Sequence, residues 1–340
     1  MAATTHHPPP AIHHPPTELI EQYDFEAQPL FLYLGYQAPH APVQAPPVGA
    51  EIWAECLAAT PTVDRATLCA MVKHLDAGIG RVLNALRTAA VWPTTSAAHH
   101  VGAGAAGAGA GVGVGTDAAT AGAATAGLNT VLIFTTDNGG AWFENMGCNY
   151  PLRGGKHNNF EGGIKGVGLI AAPGRLEAGT YSGLMHAVDW LPTIADATAG
   201  RSFGRNSVQG GVEGGAEVPG GLDGVSMWPA LRHRDTPPPR TEIVVNVDPL
   251  DGWSGAVMSV FNGTHSGFEG GLFKLMFIGE QEKGADGAGV GWMECSTMTV
   301  NAAPVDEGVV LQTTVSNGTA LLFDLNADPN EQYDLSRQKT

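Results

Sequence analysis

The sequence predicts an α/β fold: a mostly parallel sheet flanked by helices, followed by a small antiparallel-sheet lobe at the carboxyl end. Three observations predict it. Pro29–Tyr36 (PLFLYLGY) and Val131–Phe134 (VLIF) are apolar runs without polar alternation, the pattern of strands covered on both faces. Between them, Asp64 to Arg87 places Leu68, Met71, Val72, Leu75, Ile79, Val82, Leu83 and Leu86 on one stripe at helical period. From about Thr241, short apolar segments follow one another with turns and no long helix between them.

The chain has 340 residues, and 43% of them are hydrophobic, enough for a sizeable core. Residues 1–16 are rich in Pro and His and are expected to form a disordered tail. Residues 17–234 are assigned to the α/β unit and 235–340 to the antiparallel lobe. Two stretches inside the first unit lack the side-chain variety of a packed core: 97–127, nearly all Ala, Gly, Val and Thr, and the Gly-rich loop 201–221. The expected strands of the second lobe are Glu242–Val247, Gly255–Phe261, Leu272–Ile278 and Thr319–Leu325. Val167–Ala171 is expected as a further strand, and Trp190–Ala197 as a helix capped by Asp189.

Net charge is −16, with 17 basic residues against 33 acidic ones and no Lys/Arg cluster, so nucleic acid is not expected as a partner. No run of about 20 apolar residues suggests a membrane span. The start of the chain has no apolar segment of signal-peptide type. Four cysteines (Cys56, Cys69, Cys148, Cys295) show no metal-ligand spacing. Cys69 reads as a small buried hydrophobe on its helix, and no pairing can be read. Asn262 and Asn317 each begin an Asn-Gly-Thr sequon, a weak sign of glycosylation.

The chemistry concentrates at strand ends. Val131–Phe134 runs into Asp137-Asn138-Gly139-Gly140, and Arg153-Gly154-Gly155-Lys156 follows shortly after. Ligands of open α/β sheets bind at the carboxyl ends of strands. Asp137 and Asn138 offer hard oxygen donors, suited to Ca²⁺ or Mg²⁺ rather than Zn²⁺. Lys156 could meet an anion. His40 lies just past the end of Pro29–Tyr36, a comparable position.

Together these segments resemble the sulfatase family, and most closely its arylsulfatase B-like branch in the alkaline-phosphatase-like superfamily. The resemblance rests on FLYLGYQAPHAPVQAP (31–46), AMVKHLDAGIGRVLNAL (70–86), VLIFTTDNGG (131–140), NYPLRGGKHNNFEGGIKGVGLIAAPG (149–174), HAVDWLPTIAD (186–196), LDGVSMWPAL (222–231) and LFDLNADPNEQYDL (322–335). It implies an alkaline-phosphatase-like sheet whose amino-terminal strands are missing, so that 17–234 is a partial catalytic domain. It implies a sulfuric ester hydrolase with one Ca²⁺ ion, of whose ligands Asp137 and Asn138 are half. It gives Lys156 and His40 substrate-binding and catalytic roles, with His40 as general acid, and makes Arg153, Glu161, Gly162 and Gly163 structural supports. The family's nucleophile is a formylglycine made from a Cys-x-Pro/Ala-x-Arg segment, and none of the four cysteines stands in one.

The resemblance therefore suggests a chain inactive by itself, acting in its complete form on a sulfated small molecule or sulfated glycan. It further implies a secreted or lysosome-like location. A non-catalytic homologue that binds sulfated glycans or a partner is the alternative. A two-metal phosphatase or phosphodiesterase on the same fold fits less well, because no His accompanies Asp137-Asn138.

Overall fold

A computed structural model describes residues 16–44, 46, 49–60, 62–93, 129–141, 146–199, 222–248, 254–263, 270–277 and 320–337. The expected tail up to residue 15, the insert 97–127, the loop 201–221 and Asn317 lie outside the described residues.

Three helices open the described chain: α1 (Pro16–Gln22), α2 (Ala50–Ala59) and α3 (Val63–Thr88). The long helix is the expected one. Thr62 caps it by accepting a hydrogen bond from Arg65 N at 3.2 Å. Its stripe is divided between two neighbours. Ala66 and Ala70 pack with Ile52, Trp53 and Cys56 of α2, while Val82, Leu83, Ala85 and Leu86 pack with Ile20, Leu30, Leu132 and Ala171. Helix α2 escaped the sequence reading. A disulfide joins its Cys56 to Cys69 of α3, so Cys69 is a bridged residue and not a free hydrophobe. Cys148 is disulfide-bonded as well.

Strands β1 (Leu132–Thr135) and β2 (Gly168–Ala171) flank a short helix α4 (Glu161–Ile164) and pair antiparallel, with Leu132 opposite Ala171 and Thr135 opposite Gly168. The mostly parallel sheet expected from sequence is thus not what the described residues form. A parallel neighbour requires a crossover that returns the chain to the strand's starting end. Here the described residues between β1 and β2 form turns and the short α4 at the end of β1, and β2 returns antiparallel beside it.

Pro29–Tyr36 also departs from expectation. Among the described residues no strand lies beside it, and Phe31 and Tyr33 are 75% and 83% exposed. An apolar run becomes a strand only when a neighbour takes up its backbone N–H and C=O groups. Leu30 at its start and Tyr36 at its end still lean on α3.

A 3₁₀ turn (Ala187–Asp189) leads into α5 (Trp190–Ala199), and α6 spans Trp228–Arg232. His186 caps the 3₁₀ turn. The His186 ring accepts from Val188 N at 3.3 Å, and Asp189 closes the turn from inside by accepting from His186 N at 2.8 Å.

The second lobe is a four-stranded antiparallel sheet in the order β3 (Glu242–Asp248), β4 (Ser254–Phe261), β5 (Gly271–Phe277) and β6 (Ala320–Asp324). Short apolar segments separated by turns made these strands readable. One face carries Ile243, Ala256, Met258, Met276, Leu321 and Phe323, and it closes over Phe160. The rings of Phe160 and Phe323 meet edge to face with centroids 6.3 Å apart. The loop that bears Lys156 is therefore seated directly on the second lobe.

Candidate functional site

The site grows from the end of β1. Thr136 extends the pairing by one step, donating from its N–H to Val167 O at 3.0 Å and accepting from Val167 N on its hydroxyl at 2.8 Å. The chain then turns outward, with Asp137 exposed and Asn138 half-buried. The Asn138 amide nitrogen donates to Gly139 O at 2.7 Å, which leaves its oxygen as the donor available to a cation.

Gly139 and Gly140 let two other segments come close. Gly139 N donates to Gly163 O at 2.8 Å, and a Cβ on Gly139 would lie 1.8 Å from Gly162 O. Lys156 N donates to Gly140 O at 3.1 Å. Asn149 joins these parts with one amide. Its oxygen accepts from Gly140 N at 2.8 Å, and its nitrogen donates to Gly140 O at 2.9 Å and Gly154 O at 3.2 Å.

The Lys156 side chain meets His40, with Nζ 3.0 Å from Nε2. His40 sits in a turn closed by its own N–H to Gln37 O at 2.8 Å. Its Nδ1 lies 2.8 Å from Ala41 O. A carbonyl only accepts, so Nδ1 carries the proton and Nε2 of the neutral ring accepts from the lysine ammonium. The structure thus brings His40 and Lys156 into contact, and backbone bonds link Lys156 to the turn bearing Asp137 and Asn138. Asn262 lies apart, exposed at the end of β4.

Beneath the loop lies a buried ionic cluster. Arg153 donates from Nη1 to Glu331 O at 3.2 Å and stacks on Phe160, 4.1 Å from the ring centre. Glu331 Oε2 accepts from Glu161 N at 2.7 Å. Lys274 of β5 reaches both acids, at 2.8 Å to Glu331 and 3.2 Å to Glu161. Burial pushes the Glu331 carboxyl up, and Lys274 opposes that shift without cancelling it. Sequence reading assigned no role to Asn149, Lys274 or Glu331. Only Lys274 left a signal, a lysine in the core-facing row Leu272-x-Lys274-x-Met276.

Among the described residues, no group of three or more His, Cys, Asp and Glu side chains forms a complete metal site. No helix of these residues is long and apolar enough to cross a membrane.

Residues 121–200 match the sulfatase family model. Over 224 residues the chain is 28% identical to arylsulfatase J of Mus musculus, an alignment covering 66% of this chain and 28% of that protein. Over 210 residues it is 28% identical to arylsulfatase A of Bos taurus, covering 61% of this chain and 33% of that one. The family model and these relatives support a sulfatase family member. The chain spans about a third or less of the length of these curated relatives. Its fold is shared with the crystal structure of Ps i-CgsB in complex with k-i-k-neocarrahexaose, at a TM-score of 0.54 and 21% identity, covering 95% of this chain and 50% of that one. A second crystal structure of Ps i-CgsB gives a TM-score of 0.51 at 23% identity. The family named from motifs and the family found by comparison agree.

Proposed function

We propose that this chain carries the anion-gripping part of a sulfuric ester hydrolase site of the arylsulfatase type, acting on sulfated small molecules or sulfated glycans. One observation carries the reading: the Lys156 ammonium stands 3.0 Å from His40 Nε2, on a loop whose backbone is tied to the Asp137–Asn138 turn. A sulfate oxygen takes the place of His40 Nε2 as acceptor for Lys156, a compact point charge suited to a tetrahedral anion. Nε2 then faces the ester, and a proton taken up there from solvent, which makes the ring an imidazolium, can pass to the leaving oxygen. The Nδ1–H bond to Ala41 O holds the ring in that orientation throughout.

The residues present fit a Ca²⁺ ion as far as they go. The exposed Asp137 carboxylate and the Asn138 amide oxygen are oxygen donors only, and the Asn138 NH₂ is already engaged. Asp137 and Asn138 would hold the ion, which when bound supplies positive charge against the sulfate oxygens. No residue of this chain is assigned the nucleophile, since the Cys-x-Pro/Ala-x-Arg segment does not occur in it.

The test is titration of the 340-residue chain with an aryl sulfate, with and without Ca²⁺, followed through the His40 imidazole resonances. The ester should shift those resonances, Ca²⁺ should tighten binding, and inorganic sulfate should compete. An ester that leaves His40 unmoved at saturating Ca²⁺ sinks the proposal.

A further inference from the structure

We infer that Lys274, on the antiparallel lobe, is a positioning residue for the sulfate site, acting with Glu161 and Glu331 to hold the His40–Lys156 pair and the Asp137–Asn138 turn in register. The inference rests on the proposed sulfate-binding role of Lys156.

Lys274 points from β5 into the face that otherwise carries Leu272 and Met276, and it is wholly buried. A buried ammonium persists only where it is paired. Its two partners are the carboxylates at 2.8 Å and 3.2 Å, and each is built into the site's scaffold. Glu331 gathers three parts of the molecule. Its carboxylate takes the Glu161 N–H and the Lys274 ammonium, and its carbonyl takes the Arg153 guanidinium. It does so with φ at 56°, a left-handed conformation that a glutamate adopts only when its surroundings impose it.

From this cluster two short backbone paths lead to the proposed ligands. Glu161 opens α4, and two residues on, Gly163 O receives the N–H of Gly139, the neighbour of Asn138. Arg153 precedes Gly154-Gly155-Lys156, and its own carbonyl accepts from Gly162 N at 2.7 Å. The glycines admit no slack: a Cβ on Gly162 would lie 2.4 Å from Gly154 O and 2.5 Å from Arg153 O. A displacement of Glu161 or Arg153 therefore reaches Lys156 and the Asp137–Asn138 turn nearly undiminished. Packing alone does not require this arrangement, because a buried ion cluster can be replaced by apolar groups of the same volume.

The experiment compares the 340-residue chain with K274M, K274R and the neutral triple variant E161Q/K274M/E331Q, with K156A as control. Removing one ion from a buried cluster can unfold a chain; the triple variant keeps the volume and leaves none of Lys274, Glu161 and Glu331 as an unpaired ion, so it carries the readout if K274M does not fold. Two quantities are read: the ¹⁵N resonances of His40, which report its tautomer, and the affinity for inorganic sulfate. In the wild-type chain His40 should show one tautomer with the proton on Nδ1. The charge-deleted variants should retain the circular dichroism of the fold, show a mixture of His40 tautomers, and bind sulfate about tenfold more weakly, the scale on which supporting groups tune the groups they hold. K274R should fall between them and the wild type. Folded variants with the wild-type tautomer and affinity overturn the proposal. If K156A itself leaves sulfate affinity unchanged, the site reading fails and this inference fails with it. Loss in K156A alone refutes only the positioning role.

Discussion

The Lys156 ammonium lies 3.0 Å from Nε2 of His40, a residue 116 positions earlier in the chain. The contact fixes the protonation pattern of both groups, because the other ring nitrogen is committed to Ala41 O. A doubly protonated ring would set two donors against each other, so the pair stands as ammonium donor and neutral imidazole acceptor.

Unequal losses follow on removing each member. Lys156→Ala deletes a charge-assisted hydrogen bond to the anion, a type worth about 1.5–3 kcal/mol, and should weaken inorganic sulfate binding roughly ten- to hundredfold. His40→Asn deletes a neutral contact and should weaken it by about tenfold or less. Calorimetric titration with sulfate checks the order. A larger loss in His40→Asn would place the main anion contact on the wrong residue.

The Gly139 backbone is pressed against Gly162, and Asn149 bridges the same region from the side. Gly139→Ala must push two backbones apart and should destabilise the chain by more than about 3 kcal/mol in urea denaturation, at the severe end for point substitutions. Asn149→Ala fills no space and leaves Gly140 without its amide partner. It should destabilise by about 1–3 kcal/mol, the scale for orphaned polar groups. Equal effects of the two substitutions would contradict the steric argument.

What the sequence disclosed follows a physical rule. Helix α3 was legible because its side-chain periodicity records which face is covered, and strands β3 to β6 because short apolar segments are separated there by turns and no long helix. Each strand end of the second lobe lies within one residue of expectation. Pro29–Tyr36 misled because burial and strand formation both need a neighbour, and among the described residues no strand pairs with this run and Phe31 and Tyr33 stay exposed. The direction of β2 was not readable because the chain reversal is made by the Lys156 loop, whose glycines serve tertiary contacts. His40, Asp137, Asn138 and Lys156 stood out by residue type at strand ends. Glu331 did not, since its bond to Glu161 spans 170 residues and no local pattern anticipates it. The Cys56–Cys69 bridge was hidden for a related reason: a separation of 13 has meaning only once α2 lies beside α3.

That bridge gives a further expectation. A loop of about 15 residues closed by a disulfide is worth about 3 kcal/mol. Cys56→Ala together with Cys69→Ala should lose about that much, with hydrogen exchange accelerated first in α2, whose only fully buried side chain is Cys56. Uniform acceleration across β3–β6 instead would show that the bridge supports the whole chain and not the α2–α3 pair.

Asp196 supplies a pH dependence. Burial raises its carboxyl above the ordinary 3.8, and a hydrogen bond from Ser226 Oγ at 2.6 Å only partly offsets that. The folded chain therefore holds this proton more tightly than the unfolded one. Stability carried by the protonated form is fully present below 3.8 and is lost as pH rises through the raised value. Asp196→Asn stays neutral and keeps an oxygen acceptor for Ser226. It should match the wild type in strongly acid solution and become the more stable of the two as pH rises. Each unit of elevation contributes about 1.4 kcal/mol. Denaturation midpoints of the two proteins across pH 3 to 7, on the order of the carboxylate range, check the sign; a wild type that gains on the variant with rising pH reverses the argument.

Arg240 with Asp189 ties the turn that leads into α5 to the start of the second lobe. Asp189 is fully buried, accepts from His186 N and Val225 N at 2.8 Å each, and receives the Arg240 guanidinium on both oxygens, with Nε at 2.6 Å from Oδ2. The same guanidinium donates to Asp223 O at 3.0 Å and Glu242 O at 3.1 Å, so it also fixes where β3 begins. Arg240→Ala leaves a buried carboxylate with backbone donors alone and should destabilise by about 3–5 kcal/mol. Arg240→Lys keeps the charge but cannot span both oxygens and the two carbonyls, so most of the loss should remain. Asp189→Asn with Arg240→Met removes both charges and should recover a large part of it, because no unpaired ion is left. Urea denaturation of the three variants decides the matter: if Arg240→Lys restores wild-type stability, charge alone holds the junction and the two-pronged geometry is incidental.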